Sequence, residues 1–223
     1  MKIRGSGQWA PAFRLAEIII AFAILAILAG MLSPFVVSYV DDGRIEQARS
    51  ESERLARAVE RMRADVGQWP LTNRNGPYGQ LDRLVTSTNV ARNAVPGAGP
   101  GARNWGRFGR VKPLGDFLYW NNPDNDSGVA GAAASQPEQD YPSTGAGAWR
   151  GPYLDAYSVE DPWGNAYVIN ARYFPGGRYA GELRHRVMVL SAGPDGLWET
   201  PFSDGTSEEG PLGDDIGFVI AGD

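Results

Sequence analysis

The sequence lacks cysteine entirely and contains a single histidine among its 223 residues. Without cysteine, disulfide bonds and thiolate metal sites are excluded, and His185 alone cannot build a multi-histidine zinc centre. No Gly-x-Ser-x-Gly motif is present either, so one recognisable signature of serine hydrolases is missing. We therefore expect a protein that is not an enzyme, with His185 as a surface residue beside a strand.

Positive charge is also scarce, with 21 Lys and Arg residues against 26 Asp and Glu residues and a net charge of −5. Binding to nucleic acid depends on clustered basic side chains, so the composition argues against it. The 29 glycines and 16 prolines are concentrated after residue 66, and they predict a C-terminal part that is rich in turns and loops.

Charge is missing altogether from one long apolar stretch near the N-terminus. Residues 18–40 carry no charge, and Glu17 is the only charged residue between Leu15 and Val40. As a helix, the uncharged stretch would be roughly 35 Å long, enough to cross a hydrocarbon core of about 30 Å. It is longer than the apolar core of a cleaved signal peptide, about 7–15 residues, so we predict a retained membrane helix.

The charges that flank this helix predict its orientation. Lys2, Arg4 and Arg14 precede it, whereas Asp41 and Asp42 follow it. Basic residues tend to stay on the cytoplasmic side of a membrane. The sequence therefore predicts a single-pass protein of the inner membrane, with a cytoplasmic N-terminus and a periplasmic C-terminal domain.

The helix is predicted to continue beyond the membrane, from about residue 14 to residue 66. After residue 44, small and apolar positions recur every three or four residues, and Arg and Glu dominate the positions between them. These inward positions are Ile45, Ala48, Ser52, Leu55, Val59, Met62 and Val66. Gly67 and Pro70 end the pattern, so residues 41–66 form an amphipathic half that must bury its stripe on the rest of the protein.

Residues 12–17, Ala-Phe-Arg-Leu-Ala-Glu, resemble the processing site of type IV pilins and pseudopilins. Members of this family have a short basic leader, a small residue, Phe, and a Glu at the start of a long apolar helix. Pro34 also matches a proline that is common in the family. The resemblance implies a leader of residues 1–12, cleavage between Ala12 and Phe13 by a membrane aspartic peptidase, and N-methylation of Phe13.

The resemblance further implies that residues 13–40 are an assembly segment. Cleavage would leave a cationic amine on Phe13 at about the depth of the Glu17 carboxylate. In a helical stack, the amine of one subunit could neutralise Glu17 of its neighbour, and such a pair is much stronger in a low dielectric than in water. Glu17 could instead be hydrated at the membrane interface or pair with Arg14.

Three segments further along the chain resemble the major pseudopilin of type II secretion systems. They are residues 67–70, Gly-Gln-Trp-Pro; residues 161–167, Asp-Pro-Trp-Gly-Asn-Ala-Tyr; and residues 191–196, Ser-Ala-Gly-Pro-Asp-Gly, which Gly-Asp-Asp-Ile follows at 213–216. The resemblance implies a pilin-like α+β fold. In this fold the long helix packs on a small antiparallel β-sheet with long loops.

Composition predicts the strands of the globular domain, residues 67–223. Apolar, aromatic and β-branched residues are enriched in four short segments. These segments are 117–120, 167–171, 186–191 and 217–220. A sheet of such strands packed on the helix stripe would bury both apolar faces.

The acidic loop, residues 191–216, is expected to bind Ca²⁺ both from its chemistry and from the family resemblance. Asp195, Asp214 and Asp215 are the expected ligands, because adjacent carboxylates repel one another unless a cation lies between them. The backbone carbonyls of Ser191 and Ala192 are further candidates. Other acidic candidates in the loop are Asp204, Glu208 and Glu209. Without a bound ion, such a Gly- and Pro-rich loop should be poorly fixed.

Residues 73–150 have the composition of a loop-rich insertion. Six aromatic residues in it are expected mainly to cover a small core, although exposure would instead mark a contact with cargo or other subunits. They are Trp105, Phe108, Tyr119, Trp120, Tyr141 and Trp149. The acidic turn 124–128 has part of an EF-hand spacing but lacks a properly placed later Glu, so we expect a plain loop.

These observations favour a structural pseudopilin of a type II secretion-like filament. Its expected partners are copies of itself, other pseudopilins and a prepilin peptidase. One alternative is a type IV pilin or minor pilin that acts in adhesion, motility or DNA uptake, but a C-terminal disulfide loop is missing. The other is a solitary membrane-anchored domain that binds calcium or carbohydrate, which exposed loop aromatics and monomeric behaviour would favour.

Overall fold

The computed structural model describes residues 15–71, 81–87, 97–98, 105, 110–123, 141–176, 186–202 and 211–221. Within these residues, one long helix, α1, runs from Leu15 to Val66, close to the bounds predicted from the sequence. The chain divides into two compact units, residues 1–43 and residues 44–223.

The first unit contains the apolar half of α1. Leu15–Leu32 is long and apolar enough to cross a membrane. Its large apolar side chains are exposed, for example at Leu15 and Phe22. A continuous apolar surface of this kind marks contact with a membrane or with another protein. By length and composition, this half of the helix fits a single-pass membrane anchor.

In the second unit, α1 buries the predicted stripe. The fully buried residues of the stripe are Ala48, Ser52, Leu55, Val59 and Met62. The hydroxyl of Ser52 donates to the carbonyl of Ala48 at 2.8 Å, so its polar group is satisfied inside the core. Gly67 follows the helix with φ of 79°, a left-handed conformation that favours glycine just after a helix end.

Among the described residues, seven short strands form two sheets. The strands are β1 (Arg83–Val85), β2 (Gly97–Ala98), β3 (Val111–Pro113), β4 (Val168–Ile169), β5 (Val187–Ser191), β6 (Leu197–Trp198) and β7 (Ile216–Ala221). The main sheet has the order β3-β1-β4-β5-β7, and β2 pairs with β6 in the smaller sheet.

The α+β class is confirmed, but the main sheet is mixed rather than purely antiparallel. Its neighbouring strands are antiparallel except for β1 and β3, which are parallel. Both of these strands lie within residues 73–150, for which the sequence predicts chiefly loops. Parallel neighbours need a crossover connection, and the long chain between β1 and β3 provides it.

The main sheet separates two hydrophobic cores, because β5 is buried along its whole length. Alternate side chains of a strand point to opposite faces. Val187 and Val189 therefore join the stripe of α1 in a helix-side core, whereas Met188 and Leu190 join a loop-side core. The loop-side core also contains the aromatic residues Trp105, Trp198 and Phe202.

Residues 117–120 do not form the predicted strand. A short helix, α2 (Leu114–Leu118), covers the first two of these residues, and all five residues of the helix are buried. Leu114, Phe117 and Leu118 recur at spacings of three and one, so the apolar set follows the helical positions i, i+3 and i+4. The strand prediction relied on aromatic composition and missed this period.

Aromatic residues of the insertion contribute to both cores, as expected. Trp105 and Tyr141 are buried, and Trp149 packs against the helix-side core. Phe108 and the acidic turn 124–128 lie outside the described residues.

Candidate functional site

The antiparallel pairing of β5 and β7 brings the two acidic segments of the sequence together. Ser191, the last residue of β5, pairs with Ile216, the first residue of β7. The turn after β5 and the segment before β7 therefore lie side by side. A Cβ at Gly193 would clash with the backbone carbonyl of Asp214, and Gly193 also has φ of 64°. Glycine satisfies both requirements.

Three carboxylates meet in this acidic loop. One oxygen of each of Asp195, Glu199 and Asp214 lies within 4.8 Å of the other two. The N–H of Asp195 also donates to Oδ2 of Asp214 at 3.3 Å, which joins the two segments. Asp195 and Asp214 are expected ligands from the sequence, whereas the structure adds Glu199.

The structure, and not a pattern in the sequence, brings Glu199 into this cluster. It follows β6, and burial alternates along this segment, with Leu197 exposed, Trp198 buried, Glu199 half-buried and Thr200 buried. This alternation has the period of a strand and places Glu199 on the face opposite to Trp198. Its distance from Asp195 depends on how the loop folds back, which periodicity alone does not determine.

Asp215 fastens the loop and is not one of the three clustered carboxylates. Its Oδ2 accepts hydrogen bonds from the N–H of Glu199 at 3.0 Å and from the N–H of Thr200 at 2.6 Å. The residue is only 7% exposed. Within the described part of the chain, its buried Oδ1 has no hydrogen-bond partner. Asp215 therefore retains one buried acceptor oxygen.

The two residues whose backbone carbonyls are candidate calcium ligands, Ser191 and Ala192, are both fully buried at the end of β5. The hydroxyl of Ser191 donates to Oδ2 of Asp161 at 2.6 Å. Oδ1 of Asp161 accepts the N–H groups of Trp163 at 3.0 Å and Asn165 at 2.8 Å. Asp161 thus connects the Asp-Pro-Trp-Gly turn to the start of the acidic loop.

Among the described carboxyls of the loop, Glu199 and Asp215 have raised pKa values. Burial, a hydrogen bond to Asp214 and the charges of neighbouring carboxylates raise the pKa of Glu199 to about 7. Burial raises the pKa of Asp215 to about 6, although hydrogen bonds from Thr200 and Glu199 oppose this shift. Ionisation of these carboxyls is therefore costly unless positive charge lies close to them.

At the other end of the chain, Glu17 is exposed in the first turn of α1. A carboxylate at this position interacts favourably with the positive end of the helix dipole. Several residues singled out in the sequence lie outside the described part of the chain: Ala12, Phe13, His185, Asp204, Glu208 and Glu209.

The amino-acid sequence is similar to that of a protein from a bacterial secretion system. It is 29% identical over 111 residues to the type II secretion system core protein G of Pseudomonas aeruginosa. The aligned region covers 50% of this chain and 68% of that protein. This similarity supports a relationship to the pseudopilins. No protein-family model matches it, and no solved structure matches it.

The pseudopilin relationship agrees with the architecture described above. An apolar N-terminal helix and a small α+β unit are both present. The similarity supports a pseudopilin-type role for the chain.

Replacing Ser191 by Ala should destabilise the acidic loop without removing a carboxylate. The change leaves the buried Oδ2 of Asp161 without its hydroxyl donor, a loss of about 1–3 kcal/mol for a buried acceptor. Thermal unfolding of the detergent-solubilised chain should therefore show a lower melting temperature for Ser191→Ala. The matched variant Ser143→Ala, at an exposed serine, should unfold like the wild type. Equal melting temperatures for all three proteins would contradict this role of Ser191.

Proposed function

We propose that this chain is a structural pseudopilin subunit of a type II secretion-like filament. The observation that carries the proposal is the similarity of the chain to a type II secretion system core protein G along 50% of the chain. In this role the chain acts by assembling with copies of itself and with other pseudopilins in the inner membrane. It performs no catalysis of its own.

Assembly would begin with cleavage between Ala12 and Phe13 by a prepilin peptidase and N-methylation of Phe13. The new amine would then pair with Glu17 of a neighbouring subunit. Two observations support this role: Glu17 is the only charge between Leu15 and Val40, and its side chain is exposed on α1. The attraction between an amine and a carboxylate is much stronger in an apolar environment than in water, so pairing between subunits favours the correct axial register.

The flanking charges support a cytoplasmic N-terminus and a periplasmic location for residues 67–223. Lys2, Arg4 and Arg14 lie before the apolar helix, and two aspartates follow it. This asymmetry is the one that the positive-inside rule associates with an exported C-terminal domain.

The acidic loop is proposed to bind Ca²⁺, which accepts about 6–8 oxygen ligands. Asp195, Glu199 and Asp214 offer oxygens from three clustered side chains. Among the described residues, no hydrogen-bond partner reaches the buried Oε2 of Glu199 or the buried Oδ1 of Asp215. These residues fit a hard divalent cation, with the carbonyls of Ser191 and Ala192 as further candidates. The ion would supply the positive charge that compensates these carboxylates.

Removal of calcium should destabilise the folded chain. At a free Ca²⁺ concentration of a hundred times the Kd, binding to the folded state alone adds about 2.7 kcal/mol of stability. The melting temperature of the purified full chain should therefore fall when EGTA is added. It should recover with excess Ca²⁺ but not with Mg²⁺, which requires smaller and more regular octahedral sites.

The variant Glu199→Gln should lose most of this calcium-dependent shift, because it removes one charged ligand. Glu60→Gln, at an exposed position on α1, is the matched control and should retain the shift. A wild-type melting temperature that does not respond to EGTA would refute the calcium site. A full shift in Glu199→Gln would remove Glu199 from the ligand set.

Replacing Glu17 by Ala should impair assembly while membrane insertion and leader cleavage continue. Loss of one interaction worth about 1.4 kcal/mol at each subunit contact changes an association constant tenfold. The amount of sedimentable filament should fall by at least that factor when the chain is expressed with its secretion machinery. Glu46→Gln, at an exposed position further along α1, should assemble normally. Normal filaments from Glu17→Ala would rule out the register role of Glu17.

A further inference from the structure

The insertion contacts the acidic loop through the buried Trp105. The ring of Trp105 stacks on Trp198 with a centroid distance of 5.4 Å and meets Phe202 edge-on at 5.0 Å. Nearby in sequence, β2 pairs with β6, which carries Trp198. Trp105 is fully buried in the loop-side core. A segment with the composition of a loop therefore supplies one wall of the loop-side core.

Trp105 is linked to the carboxylates indirectly, through hydrogen bonds of Thr200. The carbonyl of Thr200 accepts Nε1–H of Trp105 at 2.7 Å, and its N–H donates to Oδ2 of Asp215. Its hydroxyl accepts the N–H of Leu212 at 2.9 Å. Thr200 is fully buried, so each of its polar groups depends on a partner within the protein.

Trp105 is itself fixed in place. Its backbone carbonyl accepts a hydrogen bond from the guanidinium of Arg83 in β1. Arg83 is only 5% exposed, so this hydrogen bond is shielded from water. Because the backbone and the ring of Trp105 are both held, the indole N–H has a defined direction, and an indole can only donate.

We propose that Trp105 is a positioning residue for the acidic loop. Its indole N–H fixes the carbonyl of Thr200, in the peptide that joins Thr200 to Pro201. Holding Thr200 in this way restrains the neighbouring Glu199 and thereby the placement of its carboxylate beside Asp195 and Asp214. The effect on ion binding rests on the calcium function proposed above, whereas the effect on the loop does not. A loop that is ordered before binding loses less conformational entropy when the ion binds, so the indole hydrogen bond increases Ca²⁺ affinity.

The test compares Trp105→Phe with a matched control, Trp149→Phe, in the detergent-solubilised full chain. The indole of Trp149 also donates to a backbone carbonyl, that of Phe117, at 2.8 Å, but it lies against the helix-side core. Both variants therefore lose the same donor and a similar volume. A third protein carries 3-benzothienylalanine at position 105, which keeps the shape of tryptophan and lacks the N–H.

Two readouts separate a positioning role from a general loss of stability. In calorimetric titrations with Ca²⁺, Trp105→Phe should bind about tenfold more weakly than the wild type, while Trp149→Phe should change by less than about twofold. In EGTA, the amides of Glu199 and Thr200 should exchange hydrogen about tenfold faster in Trp105→Phe but not in Trp149→Phe. The benzothienyl protein should behave like Trp105→Phe.

Wild-type amide exchange at Glu199 and Thr200 in the benzothienyl protein would overturn the proposal. Equal acceleration in Trp105→Phe and Trp149→Phe would also overturn it, because it would indicate general destabilisation. If the wild type takes up no Ca²⁺, the calcium function is overturned, and the exchange rates in EGTA still decide whether Trp105 fixes the loop.

Discussion

The antiparallel contact between β5 and β7, from Val187 paired with Ala221 to Ser191 paired with Ile216, determines both the cores and the acidic loop. Because β5 is buried on both faces, its position is set by the helix stripe on one side and by the aromatic cluster on the other. The turn that follows β5 therefore starts from a fixed point. The pairing with β7 then returns the chain to that point and places acidic residues from two distant segments next to each other.

A loop assembled in this way concentrates negative charge in a partly buried space. The raised pKa values of Glu199 and Asp215 show that the protein fold makes ionisation of these groups costly. The sequence has no cysteine, so disulfides cannot hold the loop closed. Hydrogen bonds from Ser191 to Asp161 and from Thr200 to Asp215 hold the loop, and the buried Trp105 supports it from the loop-side core.

Local patterns in the sequence predicted the helix and strands whose structure depends mainly on residues close together in the chain. The stripe of α1 has the helical period over its whole second half, and the β-branched residues of β5 and β7 predict strands. The family resemblance predicted that Asp195 and Asp214 would lie close together. Glu199 could not be predicted in the same way, because its distance from Asp195 depends on the return of the chain after β6. The strands β1 and β3 were missed for a similar reason: each has only three residues, and each is stabilised by its neighbours in the sheet.

The pseudopilin assignment is tested most directly by asking whether α1 associates with copies of itself in the membrane. Because the chain contains no cysteine, Ala16→Cys would introduce its only thiol, directly beside Glu17. Membranes from cells that express this variant with a prepilin peptidase and the secretion machinery would be treated with a bis-maleimide cross-linker. The account predicts a covalent dimer, the largest product that one thiol per subunit allows, and its loss when Glu17→Ala is added. A product that remains monomeric while the chain is inserted and cleaved would contradict it.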